Sequence, residues 1–137
     1  MRNGLLVVEL VVLILCAGGC DVFVGDETRR TRAGSSATIA EIDAVGKLSF
    51  DSERKEGYGR IAAREGLAPA AQVHLVEAVL GKLSFDNAKE EVLVMLIENP
   101  DFCSAAEREI LESIDALAFE SSKKKILKAI GLRAGSG

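Results

Sequence analysis

The sequence predicts an all-α fold, a short helical repeat or bundle of three helix pairs with about six helices. Three observations predict it. A seven-residue phrase recurs at a nearly fixed spacing, and apolar residues around each copy follow helical periodicity. The chain of 137 residues also has only six aromatic residues, two prolines and no tryptophan. A core built mainly of Ala, Leu, Ile and Val in one modest domain favours closely packed helices.

The repeated phrase is GKLSFDS at residues 46–52, and it returns as GKLSFDN at residues 81–87. Phe50 and Phe85 are therefore 35 residues apart, and a weaker third copy places Phe119 another 34 residues along the chain. A period of this length indicates supersecondary units that bury their apolar faces against one another.

Each copy of the phrase lies between two stretches with apolar residues at helical spacing, as at Val73, Val76, Val79 and Leu83. Helix boundaries are indicated by proline, glycine and capping residues, which are Gly66, Pro69, Asn99-Pro100, Ser104 and Gly131. We predict six helices, near 37–47, 51–65, 69–82, 86–98, 104–117 and 120–130.

An acidic residue follows each repeated phenylalanine and starts a predicted helix. Asp51, Asp86 and Glu120 are expected to cap these helices and to meet the positive end of the helix dipole. Each preceding phenylalanine is expected to pack onto its helix as an apolar staple, in the second unit against Val92 or Leu93. Gly57 and Gly59 weaken the first unit's second helix, because glycine is unfavourable in a helix interior.

The body resembles the domain of unknown function 4476 family. The matching phrases are LSFDSERK, LSFDNAKEE and LAFESSKKKIL, and the resemblance covers residues 38–131. It implies an all-helical repeat domain found in exported or secreted proteins, among others. It implies no reaction and no catalytic residues. The residues Gly57 and Gly59 depart from the family pattern.

Residues 1–19 have the layout of a secretory signal peptide, with a basic start, an apolar stretch and small residues before Cys20. The sequence AGGC resembles a bacterial lipobox, which implies lipidation of Cys20 and a membrane anchor. Plain secretion and an uncleaved anchor are the alternatives, and Cys16 is a poorer lipidation candidate because the bulky Leu15 precedes it. We expect a flexible linker over 20–37, the repeat domain over 38–131 and a disordered tail over 132–137.

The localisation predicted from these segments is the bacterial cell envelope, lipid-anchored on the periplasmic side, with secretion as the alternative. Asp21 resembles the inner-membrane retention signal of enterobacterial lipoproteins. The formal charge of −4 and the mixing of acidic and basic residues disfavour nucleic-acid binding. The basic run of residues 123–125 is expected to be a solvated face, with Glu120 as one candidate partner.

The residue types that carry chemistry are scarce. His74 is the sole histidine and is expected at the edge of an apolar face. Cys103 is expected to be a buried small apolar residue, with an intermolecular disulfide or a nucleophilic role as alternatives. Asp51, Asp86 and Glu120 are one per repeat and should not converge on a metal. We expect no catalytic, metal or cofactor site.

These observations favour a non-enzymatic exported lipoprotein that acts as a protein-interaction or structural module of the cell envelope. Its expected partners are the membrane, through the lipid on Cys20, and another protein of unknown identity. The alternative is a lipid- or small-ligand-binding helical bundle, and an enzyme that uses Cys103 is a weaker alternative.

Overall fold

The computed structural model describes residues 34–136, and no strand occurs among them. The helices pack into one compact unit, Ser35–Gly137. Helix α1 covers residues 34–46 of the described range. The helices that follow are α2 (Asp51–Ala62), α3 (Pro69–Lys82), α4 (Asp86–Glu98), α5 (Ser104–Glu112) and α6 (Glu120–Ala134), with a short 3₁₀ helix at Ile114–Ala116.

The helices form three pairs, here called the first unit (α1 and α2), the second unit (α3 and α4) and the third unit (α5 and α6). Helices α2, α4 and α6 pack side by side, and α3 packs against α5 beneath them. Residues near the amino ends of α2 and α4 bond to each other, and so do residues near their carboxyl ends, so these helices are parallel. The predicted all-α repeat of three helix pairs is confirmed.

Several predicted helix boundaries are confirmed and others are wrong. Pro69 is the first residue of α3, and α4 ends just before Asn99, as expected. Gly131 does not end α6, which continues to Ala134 and so enters the segment predicted to be a disordered tail. Helix α1 already includes residues 34–36, which were assigned to the linker. The remaining linker, the signal segment and Cys20 lie outside the described residues.

The predicted capping of α2, α4 and α6, which we call the outer helices, is wrong in detail. Phe50, Phe85 and Phe119 themselves occupy the N-cap positions, and no side chain there makes a capping hydrogen bond. The acidic residue is the first helical residue, where its charge still meets the positive end of the helix dipole. The predicted apolar staple is also wrong, because all three phenylalanines point away from the core and are 63–67% exposed.

Gly57 is explained by the close approach of α1 to α2. A methyl group on Gly57 would lie 2.7 Å from Cγ1 of Val45, closer than two carbon atoms can pack. The glycine therefore allows the first unit to pack tightly, although it costs helix propensity. The core around it is made mainly of Ile, Leu, Val and Ala, as the composition predicted, and also contains Tyr58 and Phe102.

The third repeat is one residue shorter than the second, and the difference lies in its first helix. Helix α3 has 14 residues, whereas α5 has nine and is followed by Ser113 and the 3₁₀ helix. A 3₁₀ helix rises about 2.0 Å per residue and an α-helix about 1.5 Å. The shorter segment therefore spans nearly the same length with fewer residues, which keeps Phe119 in register with Phe85.

Candidate functional site: a row of exposed phenylalanines

Three phenylalanines lie at the same position of three successive units, and we call Phe50, Phe85 and Phe119 the phenylalanine row. Their exposed fractions are 67%, 63% and 64%. Each immediately precedes one of the parallel helices α2, α4 and α6, so all three lie along one edge of the stack. Neighbouring packed helices are about 8–10 Å apart, which sets the spacing along the row.

The row is held in register by the acidic residue that follows each phenylalanine. The carboxylate of Asp51 accepts the backbone N–H of Ser84 at 3.0 Å, and that of Asp86 accepts the backbone N–H of Phe119 at 2.7 Å. Both bonds join residues 33 positions apart. The sequence-predicted residues Asp51 and Asp86 thus connect successive units, whereas Glu120 has no following unit among the described residues.

In the first and second units, a basic residue four positions after the phenylalanine makes a second connection. Arg54 donates to the carbonyl of Lys82 at the end of α3, and Lys89 donates to the carbonyl of Ala116 at the end of the 3₁₀ helix. These cations satisfy carbonyls that lack a partner at the end of a helix. Lys123 occupies the same position in the third unit and pairs instead with Glu120 at 3.3 Å.

In the second and third units, the residue 14 positions after the phenylalanine connects in the opposite direction, to the end of the preceding outer helix. The side-chain amide of Asn99 donates to the carbonyls of Ala62 and Arg64, both at 2.8 Å. Arg64, in the first unit, pairs with Glu41 instead. The guanidinium of Arg133 donates to carbonyls in the last turn of α4 and in the loop after it, which belong to Ile97, Asn99, Pro100 and Phe102.

Ion pairs cross the outer surface between the parallel helices. Lys55 on α2 pairs with Glu91 on α4 at 2.6 Å, and Glu90 on α4 pairs with Lys125 on α6 at 2.8 Å. The hydrogen bond from Lys125, with a smaller contribution from Ser122, lowers the pKa of the Glu90 carboxyl. The basic run is therefore only partly a solvated face, because both Lys123 and Lys125 have acidic partners.

Two surface grooves accompany these ion pairs, one between α2 and α4 and a larger one of about 890 Å³ between α4 and α6. Met95 lines both grooves, and Leu132 adds apolar surface to the larger one. This volume is in the range of small-molecule sites. A small ligand, the alternative predicted from the sequence, would find apolar surface there.

The two residues with catalytic chemistry do not come together. His74 lies on α3 and its Nε2 is 2.7 Å from the carboxylate of Asp43. Cys103 is half-buried at the start of α5, where its backbone N–H donates to the buried side chain of Gln72. The expected edge position of His74 is confirmed, whereas Cys103 is less buried than predicted. Within residues 34–136 no group of His, Cys, Asp and Glu is arranged to hold a metal ion.

In the part of the chain that the structure describes, no helix combines the length and apolar character needed to span a bilayer. Comparison with known proteins gives no match to a family model, a curated protein sequence or a solved structure. The resemblance to the domain of unknown function 4476 family therefore stays a prediction.

Sequence reasoning located the phenylalanines and the acidic residues but missed the residues that join the units. Arg54 and Lys89 share one repeat position, and Asn99 and Arg133 share another. Aligning the copies beyond the seven-residue phrase would have revealed this, because polar side chains recur there at the same offsets. The partners of these side chains are backbone atoms, which leave no signal in the sequence.

Proposed function

We propose that this protein is a non-enzymatic interaction module of the bacterial cell envelope, which binds an extended segment of another protein along the phenylalanine row. The observation that carries this proposal is the equal exposure of Phe50, Phe85 and Phe119. Exposed apolar groups of this size mark interaction surfaces, and aromatic residues often dominate binding energy.

The spacing of the row favours an extended partner. A polyproline II helix has three residues per turn and rises about 3.1 Å per residue, so every third side chain repeats at about 9.3 Å. That distance matches the spacing of about 8–10 Å between packed helices. Aromatic-lined surfaces are a common docking site for such segments. The partner should therefore carry apolar side chains at every third position.

Around Phe50 and Phe85, charge favours acidic side chains in the partner. Lys47 and Lys82 each lie three residues before a phenylalanine of the row, and both are exposed. Acidic side chains between the apolar positions of the partner would approach these ammonium groups. Such complementary charge steers association and fixes the register of binding more than it adds affinity.

Synthetic peptides test this proposal. We would measure, by fluorescence anisotropy, binding to peptides with leucine at every second, third or fourth position and with proline and glutamate elsewhere. The peptide with leucine at every third position should bind most tightly, and Phe85→Ala should weaken it by about tenfold. Leu132→Ala removes an equally exposed apolar side chain away from the row and serves as the matched control.

Equal affinity for the three spacings, or equal effects of Phe85→Ala and Leu132→Ala, would contradict binding along the row. The envelope location is tested separately, by incorporation of labelled palmitate in a bacterial host. Cys20→Ser should abolish labelling, and Cys16→Ser should retain it. Label that persists without Cys20 would contradict the proposed anchor.

A further inference from the structure

The third unit is the last one among the described residues. It carries groups of the kind that, in the first and second units, bond to the unit that follows. The Glu120 carboxylate corresponds to those of Asp51 and Asp86, and its side chain is 75% exposed. Tyr58, Leu93 and Leu127 each lie eight positions after a phenylalanine of the row. Tyr58 and Leu93 are buried in the core, at 0% and 1% exposed. Leu127 itself is 46% exposed.

The ion pairs between neighbouring outer helices follow a rule. In both, the residue five positions after one phenylalanine pairs with the residue six positions after the next, as in Lys55–Glu91 and Glu90–Lys125. The sign of the charges is reversed from the first pair to the second. Lys124 lies five positions after Phe119. A further ion pair of this kind would join it to an acidic residue six positions after a phenylalanine of another unit.

The first unit has that acid. Glu56 lies six positions after Phe50 and is exposed. Glu53, three positions after Phe50, is also exposed, whereas Ser122 at the corresponding position of α6 hydrogen-bonds to Glu90. By the same correspondence, Glu53 would face Lys124. Among the described residues, Lys124 has no ion-pair partner.

We propose that the third unit docks head to tail on the first unit of a second copy of this chain, with Lys124 against Glu56 and Glu53 of that copy. The surface is distinct from the phenylalanine row, so this proposal does not depend on the proposed function. A head-to-tail contact is heterologous, and unless the rotation closes a ring it extends into a filament. Because the contact includes ion pairs between exposed side chains, it should weaken as salt rises.

Zero-length carbodiimide crosslinking of the full chain tests the contact. Normal and heavy-nitrogen-labelled chains are mixed, and crosslinked peptides are identified by mass spectrometry. We expect peptides of mixed isotope that join Lys124 to Glu56 or Glu53. These residues lie on α6 and α2, two helix spacings or about 16–20 Å apart in one chain, so a zero-length bond within one molecule is excluded.

Charge reversal makes the test specific. Lys124→Glu alone should give no crosslink between these positions, because it removes the amine that forms the amide bond and also places like charges opposite each other. Combining Lys124→Glu with Glu53→Lys and Glu56→Lys should restore a crosslink between the exchanged positions. Glu98→Lys, on the exposed surface of the second unit, is the matched control and should leave the crosslink unchanged.

Thermal unfolding followed by circular dichroism would establish that each variant retains the wild-type helical content and midpoint. Absence of mixed-isotope peptides between positions 124 and 53 or 56 in the wild-type chain would overturn the proposal. A triple variant that stays folded but gives no crosslink between the exchanged positions would overturn it as well.

Discussion

The carboxylate of Asp86 accepts the backbone N–H of Phe119 at 2.7 Å, which ties the start of one outer helix to the start of the next. Asp86 is 8% exposed, and its removal leaves the partly buried backbone N–H of Phe119 without this partner. We expect Asp86→Ala to lower the free energy of unfolding by about 1–3 kcal/mol. Urea denaturation monitored by circular dichroism measures this loss.

Glu120→Ala is the control for this variant. It also removes a carboxylate from the first turn of an outer helix, but one that bonds no following unit. We expect it to change stability by no more than about 0.5 kcal/mol. Equal losses for the two variants would mean that the helix dipole, and not the bond to Phe119, accounts for the effect of Asp86.

Gly57 and Gly131 should respond in opposite directions to the same substitution. A methyl group on Gly57 meets Val45, whereas nothing lies within 4 Å of the position where Gly131 would carry one. We expect Gly57→Ala to destabilise the protein by about 1–3 kcal/mol through overpacking. Gly131→Ala should stabilise it by up to about 1 kcal/mol, because alanine is the better helix former. Thermal unfolding midpoints of the two variants check both signs.

The hydroxyl group of Tyr58 is buried and has no hydrogen-bond partner among the described residues. A buried, unpaired hydroxyl is costly, so Tyr58→Phe should equal the wild type in stability or exceed it by about 1 kcal/mol. A loss of stability greater than about 1 kcal/mol in Tyr58→Phe would show that the hydroxyl has a hydrogen-bond partner in solution.

Burial also raises the pKa of Tyr58 above its ordinary value of 10.0. The fold therefore favours the neutral phenol, and this contribution is fully present below 10.0 and lost as the pH rises towards the higher folded value. Tyr58→Phe should lose less stability than the wild type between about pH 8 and pH 11. Urea midpoints at the two pH values provide the comparison.

The Glu90 carboxyl gives the opposite pH dependence. Its pKa is lowered from 4.5 by hydrogen bonds from Lys125 and Ser122, so its contribution is present above 4.5 and is lost as the pH falls through the lower folded value. Glu90→Gln should be less stable than the wild type at neutral pH, and the difference should shrink in acid. A gap that stays constant across this range would contradict the assignment. Because the pair lies at the surface, added salt should also narrow it.

The helices were predictable because their signals are local. Apolar periodicity and the position of Pro69 fixed α3 and α4 at their observed bounds, and the repeated phrase fixed the register of the outer helices. The end of α6 was not predictable from Gly131, since a single glycine is tolerated in a helix that has packing support. Arg133 supplies that support through its bonds to the end of α4.

The site was only partly predictable, because the phenylalanines and the acidic residues were found but the partners of the acidic residues were not. An acidic residue beside each phenylalanine is explained equally well by helix capping and by a hydrogen bond to the next unit. The sequence contains nothing that distinguishes these two roles. The burial of the repeated phenylalanines was predicted wrongly for a related reason. The local sequence pattern is the same for an aromatic residue that packs on its own helix and for one that is exposed to solvent.

The hydrogen bonds between units would allow the protein to gain further units. Asp86, Lys89 and Asn99 bond to backbone atoms of the neighbouring units at fixed separations in the sequence. An extra copy of the second unit would therefore carry its own bonding groups in the correct register. Gene duplication could then lengthen the protein in whole steps, with no other surface redesigned. Each added step would also bring one more exposed aromatic ring.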